Sequence, residues 1–235
     1  CHLALPPHIR EYLHKRGLSD AVINEYKLGY GQFYRKPWIT IPIKDIYGNY
    51  SFFKLRQDPS FGNDKITYPK GAEAQLFDWE NLTKPNLSLV ICEGEMDRLL
   101  LLSKGVQAIT STHGAMTFKE EWVSKIPKDA KVYVCFDNDD AGKKGSERVA
   151  KMVENGGYET HIITLPEEVG EAGDITDYFV KTNGSVDDLF KKYAKPYPER
   201  IDTSQFSQMS SDALLDTLGL TIKYDAENKL ATFLC

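Results

Sequence analysis

The 235-residue chain is long enough for one large domain or two modest ones, and its apolar fraction of 41% suffices for a packed core. Its formal net charge is −5, so it lacks the basic excess that a dedicated duplex-binding protein usually shows. No apolar stretch is long enough to cross a membrane, and the amino terminus lacks the charged-then-apolar order of a signal peptide, so we expect a cytoplasmic protein with no membrane partner.

The charge is distributed unevenly along the chain. Residues 1–88 carry 12 Lys and Arg against 9 Asp and Glu, whereas residues 89–235 carry 17 against 25. A mildly basic part beside an acidic part would form a cleft suited to a nucleic-acid backbone. Ordinary solvated surface charge gives the same pattern, so the charge alone leaves both interpretations open.

Two short helices and a β-hairpin are predicted in the first 84 residues. The helix that begins at Ser19 has this residue as its cap, and the turn Tyr47-Gly48-Asn49 joins the two strands. The pattern predicts a small α+β subdomain over residues 1–84. Its helices and strands are expected near residues 8–16, 19–26, 39–43 and 50–56.

From residue 87 onward, predicted strands and helices alternate. The strands are expected near residues 87–92, 106–110, 131–136 and 160–165. The helices are expected near residues 95–104, 118–125, 142–155 and 185–193. This alternation predicts a parallel sheet with right-handed crossovers and helices on its faces, a Rossmann-like α/β domain over residues 85–195.

The chain changes character near residue 196. The prolines in Lys195-Pro196-Tyr197-Pro198 favour a linker, after which a short amphipathic helix is predicted from Ala213 to Leu218 and a strand from Leu220 to Tyr224. Residues 196–235 are too few to fold alone. We therefore expect them to be a linker and the start of a further module.

Acidic motifs directly follow two of the predicted strands. Glu93-Gly94-Glu95-Met96-Asp97 follows the first strand of the α/β domain, and Asp137-Asn138-Asp139 follows the third. The carboxyl ends of neighbouring parallel strands meet at one edge of an open sheet, so these carboxylates should share one crevice. Crowded carboxylates need a cation, and hard oxygen ligands favour Mg²⁺ or Mn²⁺. The motifs therefore predict a metal site suited to phosphoryl transfer.

The cysteines are not spaced as zinc ligands. Cys92 and Cys135 lie inside predicted strands, where a free cysteine behaves as a small apolar residue, and no Cys-x-x-Cys occurs. The sequence also lacks Gly-x-x-x-x-Gly-Lys-Ser/Thr, the phosphate-binding loop of many ATPases. We expect neither a zinc site nor a P-loop ATPase in this sequence.

Taken together, the acidic motifs resemble the Toprim domain that topoisomerases, bacterial-type primases, some nucleases and recombination proteins share. The resemblance lies in strand-Glu-Gly-x-x-Asp at Glu93 to Asp97 and strand-Asp-x-Asp-x-Ala-Gly at Asp137 to Gly142. Further segments, in the same order, resemble primases and the primase half of phage primase-helicases. They are Tyr12 to Ser19, Ser111 to Ala115, Asp139 to Gly145 and Gly173 to Tyr178.

The resemblance implies the catalytic core of a primase. Such a core uses Mg²⁺ or Mn²⁺ and nucleoside triphosphates to make short primers on single-stranded DNA, and its expected protein partner is a replicative helicase, fused or separate. Asp97 joins Glu93, Asp137 and Asp139 among the catalytic candidates; its helical spacing from Glu93 favours a role in supporting the metal ligands over binding the metal itself. The implied ligands are Glu93, Asp137, Asp139 and Asp174, with Glu93 either a ligand or the general base. Thr176 stands where some primases have a second carboxylate, so Asp177 is not assigned as a ligand.

Nucleotide or template binding is assigned by the resemblance to Lys65, Arg56, Lys70 and Gly94. Lys65 stands where primases carry a basic residue of this role, and Arg56 is similarly placed. A guanidinium can bind phosphate at two points, whereas an ammonium group adds a compact charge. Gly94 is expected to let the backbone turn tightly beside the metals.

Two other functions share these motifs. A Toprim nuclease would use the same metals to activate water and cut a phosphodiester. A non-catalytic Toprim module would hold nucleic acid or bridge proteins. Degenerate modules tend to lose the carboxylates that this sequence keeps at Glu93, Asp137 and Asp139, so the sequence favours an enzyme.

Overall fold

An antiparallel sheet and a larger mixed sheet organise the first 198 residues. The computed structural model describes residues 2–62, 66–77, 82, 88–198, 221–225 and 230–234. The chain divides into two compact units, which comprise residues 1–198 and residues 199–235. Among the described residues, none of the helices combines the length and the apolar character needed to span a membrane.

The amino-terminal part contains two helices and a four-stranded antiparallel sheet in the order β1-β2-β3-β4. Its elements are α1 (Pro7–Lys15), α2 (Asp20–Glu25), β1 (Gly29–Phe33), β2 (Lys36–Lys44), β3 (Tyr50–Gln57) and β4 (Ile66–Thr67). Pro7 suits the first turn of α1 because its φ is already helical. The Ser19 hydroxyl caps α2 by accepting a hydrogen bond from the Val22 N–H at 3.3 Å. The predicted β2–β3 hairpin is confirmed.

The larger sheet has the strand order β10-β9-β8-β6-β7-β5. Its strands are β5 (Leu76–Phe77), β6 (Ser88–Cys92), β7 (Gln107–Ser111), β8 (Lys131–Cys135), β9 (Thr160–Ile163) and β10 (Ala194–Tyr197). The four inner strands pair in parallel, whereas β5 and β10 pair antiparallel at the edges. This arrangement confirms the predicted α/β fold class, a parallel-containing sheet preceded by an antiparallel one.

Helices follow the strands of the larger sheet. They are α3 (Glu95–Ser103), α4 (Glu120–Val123), α5 (Asp140–Asn155), α6 (Ile175–Val180) and α7 (Val186–Lys191). Short 3₁₀ turns lie at His2–Ala4, Ala115–Thr117 and Glu167–Val169. The sequence did not predict α6, which begins inside the late acidic motif.

Two strands form where the sequence favours other structure. Gly29 and Gly31 lower the strand propensity of β1, which forms because β2 supplies its hydrogen-bonding partner. Residues 194–197, where prolines favour the beginning of a linker, form the edge strand β10 instead. Pro196 is tolerated there because an edge strand leaves one side of its backbone without a ladder partner.

In the second unit, the described residues form one antiparallel strand pair. It consists of β11 (Thr221–Asp225) and β12 (Leu230–Leu234). The strand β11 confirms the one predicted near residues 220–224, and β12 was not predicted. The helix predicted over residues 213–218 lies outside the described residues.

The amino-terminal helices pack on one face of the larger sheet. One apolar cluster joins the fully buried Ile9 and Leu13 of α1 to Leu99 and Leu100 of α3. A second cluster, built from the alternate residues of the inner strands, packs α4 and α5 on the other face. Each such buried side chain contributes about 1.5–3 kcal/mol. The shared core therefore fixes the amino-terminal part against this face of the larger sheet.

Candidate active site

A cleft of about 230 Å³ opens where β6 and β8 end. Its acidic lining residues follow the strands of the larger sheet, and its two arginines come from the end of α1 and from β3. The lining residues are Arg16, Arg56, Ile66, Glu93, Gly94, Glu95, Met96, Asp97, Asp137 and Asp174. The cleft therefore combines the predicted acidic motifs with basic residues of the amino-terminal part.

The strand register brings the two acidic motifs together. Cys92 at the end of β6 lies beside Cys135 at the end of β8, so the residues that follow them meet at the same edge of the sheet. The backbone N–H of Asp137 donates a hydrogen bond to Glu93 Oε2 at 3.3 Å. The expected juxtaposition of these two carboxylates is present.

Burial and mutual repulsion disfavour ionisation in the cleft. Burial, followed by the charges of Glu93, Asp97, Asp174 and Asp139, raises the pKa of Asp137 to about 8. Burial also raises the pKa of Glu93; the hydrogen bond from the Asp137 N–H opposes this rise, and the Asp139 charge adds to it. A cation near these groups would favour their charged forms.

Asp97 is a buried lining residue of the cleft and contacts α6. Its Oδ1 accepts hydrogen bonds from the Thr176 hydroxyl at 2.8 Å and the Thr176 backbone N–H at 3.3 Å. Burial and the Asp174 charge raise the pKa of Asp97 to about 7, opposed by the bonds from Thr176 and the charge of Arg16. Thr176 stands where some primases have a second carboxylate, and in this chain it donates hydrogen bonds to Asp97.

Asp139 and Asp174 each cap a helix. Asp139 Oδ1 accepts a hydrogen bond from the Gly142 N–H at 2.7 Å, and Asp174 Oδ1 accepts one from the Asp177 N–H at 2.7 Å. Asp174 lines the cleft, whereas Asp139 lies beside it and acts on Asp137 through its charge. In both residues the capping bond involves Oδ1, so a metal ion could contact Oδ2, which in Asp174 already faces the Arg16 guanidinium at 3.5 Å.

The two glycines near the carboxylates serve packing rather than an unusual backbone conformation. A Cβ on Gly142 would lie 2.1 Å from the Asp137 carbonyl oxygen, so only glycine allows this close approach. Gly94 has φ −117° and ψ 158°, an extended conformation that any residue adopts. The chain does bend at Glu93 and Gly94, but in a conformation that does not require glycine. A Cβ at Gly94 would lie 3.0 Å from Asp97 Oδ2, which makes space the constraint there.

Two arginines from the amino-terminal part enter the cleft. Arg56 is 6% exposed and its Nε donates a hydrogen bond to the Tyr12 hydroxyl at 3.0 Å. An Arg16 guanidinium nitrogen lies 3.5 Å from Asp174 Oδ2. Sequence reasoning did not assign Arg16 a role, although the segment Tyr12 to Ser19 that contains it carried part of the primase resemblance.

The two other predicted basic residues are Lys65 and Lys70. Lys65 lies outside the described residues. Lys70 lines a different cavity of about 610 Å³, among aromatic residues of β1 and β3 that include Phe33, Tyr50 and Phe53. The structure therefore brings Arg56 to the carboxylates and leaves Lys70 away from them.

The donors of the cleft fit a hard divalent cation. Within the described part of the chain, no three His, Cys, Asp or Glu side chains are already gathered around one point as metal ligands. The available donors are carboxylate oxygens, which Mg²⁺ and Mn²⁺ prefer, and burial together with their mutual repulsion raises the pKa of Asp137. A divalent cation would neutralise this repulsion.

Comparison with known proteins gives one consistent family. Residues 90–179 match the model of a family described as Toprim-like. The chain is 24% identical over 224 residues to the DNA primase of Chlamydia pneumoniae, covering 78% of this chain and 37% of that primase. The zinc-binding and RNA polymerase domains of the Aquifex aeolicus primase match with a TM-score of 0.59 at 23% identity, over 76% of this chain and 53% of that chain. The E. coli primase catalytic core matches with a TM-score of 0.58 at 19% identity, over 89% and 82%.

The segment that carries both acidic motifs lies within the residues that match the Toprim-like family model. The chain is similar in sequence to bacterial DNA primases and similar in fold to a primase catalytic core, which confirms the resemblance seen in its sequence. It spans 37% of the length of the Chlamydia pneumoniae primase. Toprim domains and primases in general depend on divalent metal ions, in agreement with the donors of the cleft.

Proposed function

We propose that this chain is the catalytic core of a DNA primase, a nucleotidyltransferase that extends a short primer on a single-stranded DNA template. The observation that carries the proposal is one cleft, lined by carboxylates and two guanidinium groups, at the strand ends of a primase-like fold. A triphosphate substrate requires cations around its phosphates, and the reaction requires carboxylates to hold metal and to accept a proton.

The carboxylates have distinct roles in this proposal. Glu93, Asp137, Asp139 and Asp174 would hold Mg²⁺ or Mn²⁺, which when bound neutralises charge on the entering and leaving oxygens. Glu93 serves as a ligand or as the general base for the primer 3′ hydroxyl, since burial raises its pKa. Asp97 is a positioning residue that acts through Thr176.

Basic residues would bind the phosphates of the substrate. Arg16 and Arg56 line the cleft, where a guanidinium can contact two phosphate oxygens at once. Lys65 keeps the nucleotide or template role that the primase resemblance assigns to it. Lys70 would contact template outside the cleft, and the absence of a side chain at Gly94 leaves room for nucleotide beside Asp97.

The proposal extends to organisation and partners. Residues 1–84 would form the basic subdomain, residues 85–198, with the edge strand β10, the Toprim domain, and residues 199–235 a separate unit. A similar fold occurs in the primase fragment of the bacteriophage T7 primase-helicase, with a TM-score of 0.55 at 20% identity. We propose that a replicative helicase, fused or separate, is the protein partner.

Primer synthesis from labelled nucleoside triphosphates on mixed single-stranded templates, with Mg²⁺ or Mn²⁺, tests the proposal. The variants are Asp137→Asn and the matched control Asp187→Ala, whose aspartate is 78% exposed and pairs with Lys191. Short products from wild type and control, absent with Asp137→Asn, support a primase. Cutting of the template without synthesis would establish the nuclease instead, and inertness in both assays would favour a binding module.

A further inference from the structure

Glu95, the residue between the two motif carboxylates Glu93 and Asp97, is directed toward the amino-terminal part. It begins α3, and its side chain is only 2% exposed. Its Oε1 lies 2.6 Å from Nζ of Lys54, whose side chain is 8% exposed. The first acidic motif is thus joined to β3 by a buried ion pair.

Lys54 also joins further segments to this pair. Its ammonium group donates a hydrogen bond to the carbonyl oxygen of Thr112, just after β7. The same nitrogen lies 5.6 Å from the centre of the Tyr68 ring, which packs at 4.0 Å on the ring of His113. One buried cation therefore connects β3, the start of α3, the end of β7 and the segment after β4.

The pair lies where the two sides of the cleft meet, and Glu95 itself lines the cleft. Lys54 and Arg56 are two residues apart on β3, so their side chains share a face of the strand. Glu95 is likewise two residues after Glu93. Any shift of β3 against the start of α3 would therefore change the position of Arg56 relative to Glu93.

We propose that the Lys54–Glu95 ion pair is a positioning clamp that holds the phosphate-binding side of the cleft against its carboxylate side. The catalytic part of this inference rests on the proposed primase function, whereas the structural part does not. A contribution to stability does not explain the pair, because a buried ion pair can often be replaced by apolar residues of similar volume without loss of stability. A fixed geometry is a better reason, because a displacement of about 1 Å can lower a rate 100-fold.

The test uses the full chain with Glu95→Gln and, as a control, Val153→Ala. Val153 is fully buried in the cluster on the opposite face of the sheet, so its truncation lowers the midpoint of thermal unfolding without touching the clamp. Spin labels at Ser51→Cys on β3 and Glu147→Cys on α5, two exposed positions, report the distance between the two parts without substrate. Cys1 and Cys235 are changed to Ser, and the buried Cys92 and Cys135 are kept.

We expect Glu95→Gln to shift or broaden the spin–spin distance distribution and to lower kcat about 10- to 100-fold, at a temperature where circular dichroism shows every variant folded. Val153→Ala should change neither quantity. An unchanged distance distribution for Glu95→Gln, with kcat within about twofold of wild type, would overturn the clamp. If the wild type makes no primers, the primase proposal fails, and the distance distribution alone decides whether the clamp exists.

Discussion

The Thr176 hydroxyl donates a hydrogen bond to Asp97 Oδ1 at 2.8 Å, and both residues are buried, at 4% and 6% exposure. This contact ties the start of α6 to α3, directly behind the cleft. It also supplies a hydrogen-bond donor to the Asp97 carboxylate, which burial removes from water.

Thr176→Val should lower the free energy of unfolding by about 1–3 kcal/mol, because a buried carboxylate loses one of its donors. Urea denaturation measures this change. Thr182→Val is the control, since it removes a 2.6 Å hydrogen bond to the Tyr178 carbonyl, a neutral bond worth about 0.5–1.5 kcal/mol. If Thr176→Val lowers the free energy of unfolding by no more than Thr182→Val does, the contact with Asp97 is not important for stability.

The raised pKa of Asp137 predicts that the stability of the metal-free protein depends on pH in an unusual way. Its pKa in the folded chain is about 8, against an ordinary value of 3.8. Between these values the folded chain binds more protons than the unfolded chain, so this group makes stability fall as the pH rises. In EDTA, Asp137→Asn should therefore be more stable than wild type at about pH 8, and the difference should shrink toward about pH 4. Urea denaturation across this range checks the sign; a variant less stable than wild type at pH 8 contradicts it.

Addition of Mg²⁺ should reverse the order of stability. A ligand that binds only the folded state stabilises it by RT ln(1 + [L]/Kd), about 2.7 kcal/mol at 100 times Kd. Wild type should gain this stabilisation at about pH 8, whereas Asp137→Asn should gain little. Equal gains for both proteins would show that Asp137 is not part of the metal site.

The sequence alone predicts those features that depend on local pattern. Apolar runs identified β6 and β8, and the position of each acidic motif after a strand was enough to place Glu93 beside Asp137. The parallel order of the inner strands followed from the alternation of strands and helices. Elements without a local signal were missed, such as the edge strand β10, whose pairing with β9 overrides the preference of Pro196.

Contacts between distant segments could not be predicted in this way. Arg16 and Asp174 are 158 residues apart in the chain, and only the shared core of α1 and α3 brings them to one cleft. Nothing in the spacing of Lys54 and Glu95 indicates that they pair. The carboxylates of the site were thus predictable from the sequence together with Arg56, whereas Arg16 required the fold.

Arg16 should be needed for use of the triphosphate. Arg16→Met keeps the aliphatic part of the side chain and removes the charge, so we expect kcat/KM for nucleotide to fall about 10- to 100-fold, the loss of about 1.4–2.8 kcal/mol of binding. Arg10→Met is the matched control on α1, where Arg10 pairs with the exposed Asp20. Steady-state kinetics of primer synthesis separates the two variants. Similar kinetics for both would remove Arg16 from the proposed site.

A substitution at Gly142 tests whether function requires an accurate position of Asp137. A Cβ at this position would lie 2.1 Å from the carbonyl oxygen, 2.9 Å from the carbonyl carbon and 3.0 Å from the nitrogen of Asp137, and backbone atoms cannot move aside as a flexible side chain can. Gly142→Ala should therefore displace Asp137 and lower primer synthesis at least about 100-fold, although alanine favours the helix by about 1 kcal/mol. Glu147→Ala, an exposed change on the same helix, should leave synthesis unaltered. Wild-type synthesis by a folded Gly142→Ala protein would show that the position of Asp137 tolerates displacement, and the assignment of Asp137 as a metal ligand would then fail.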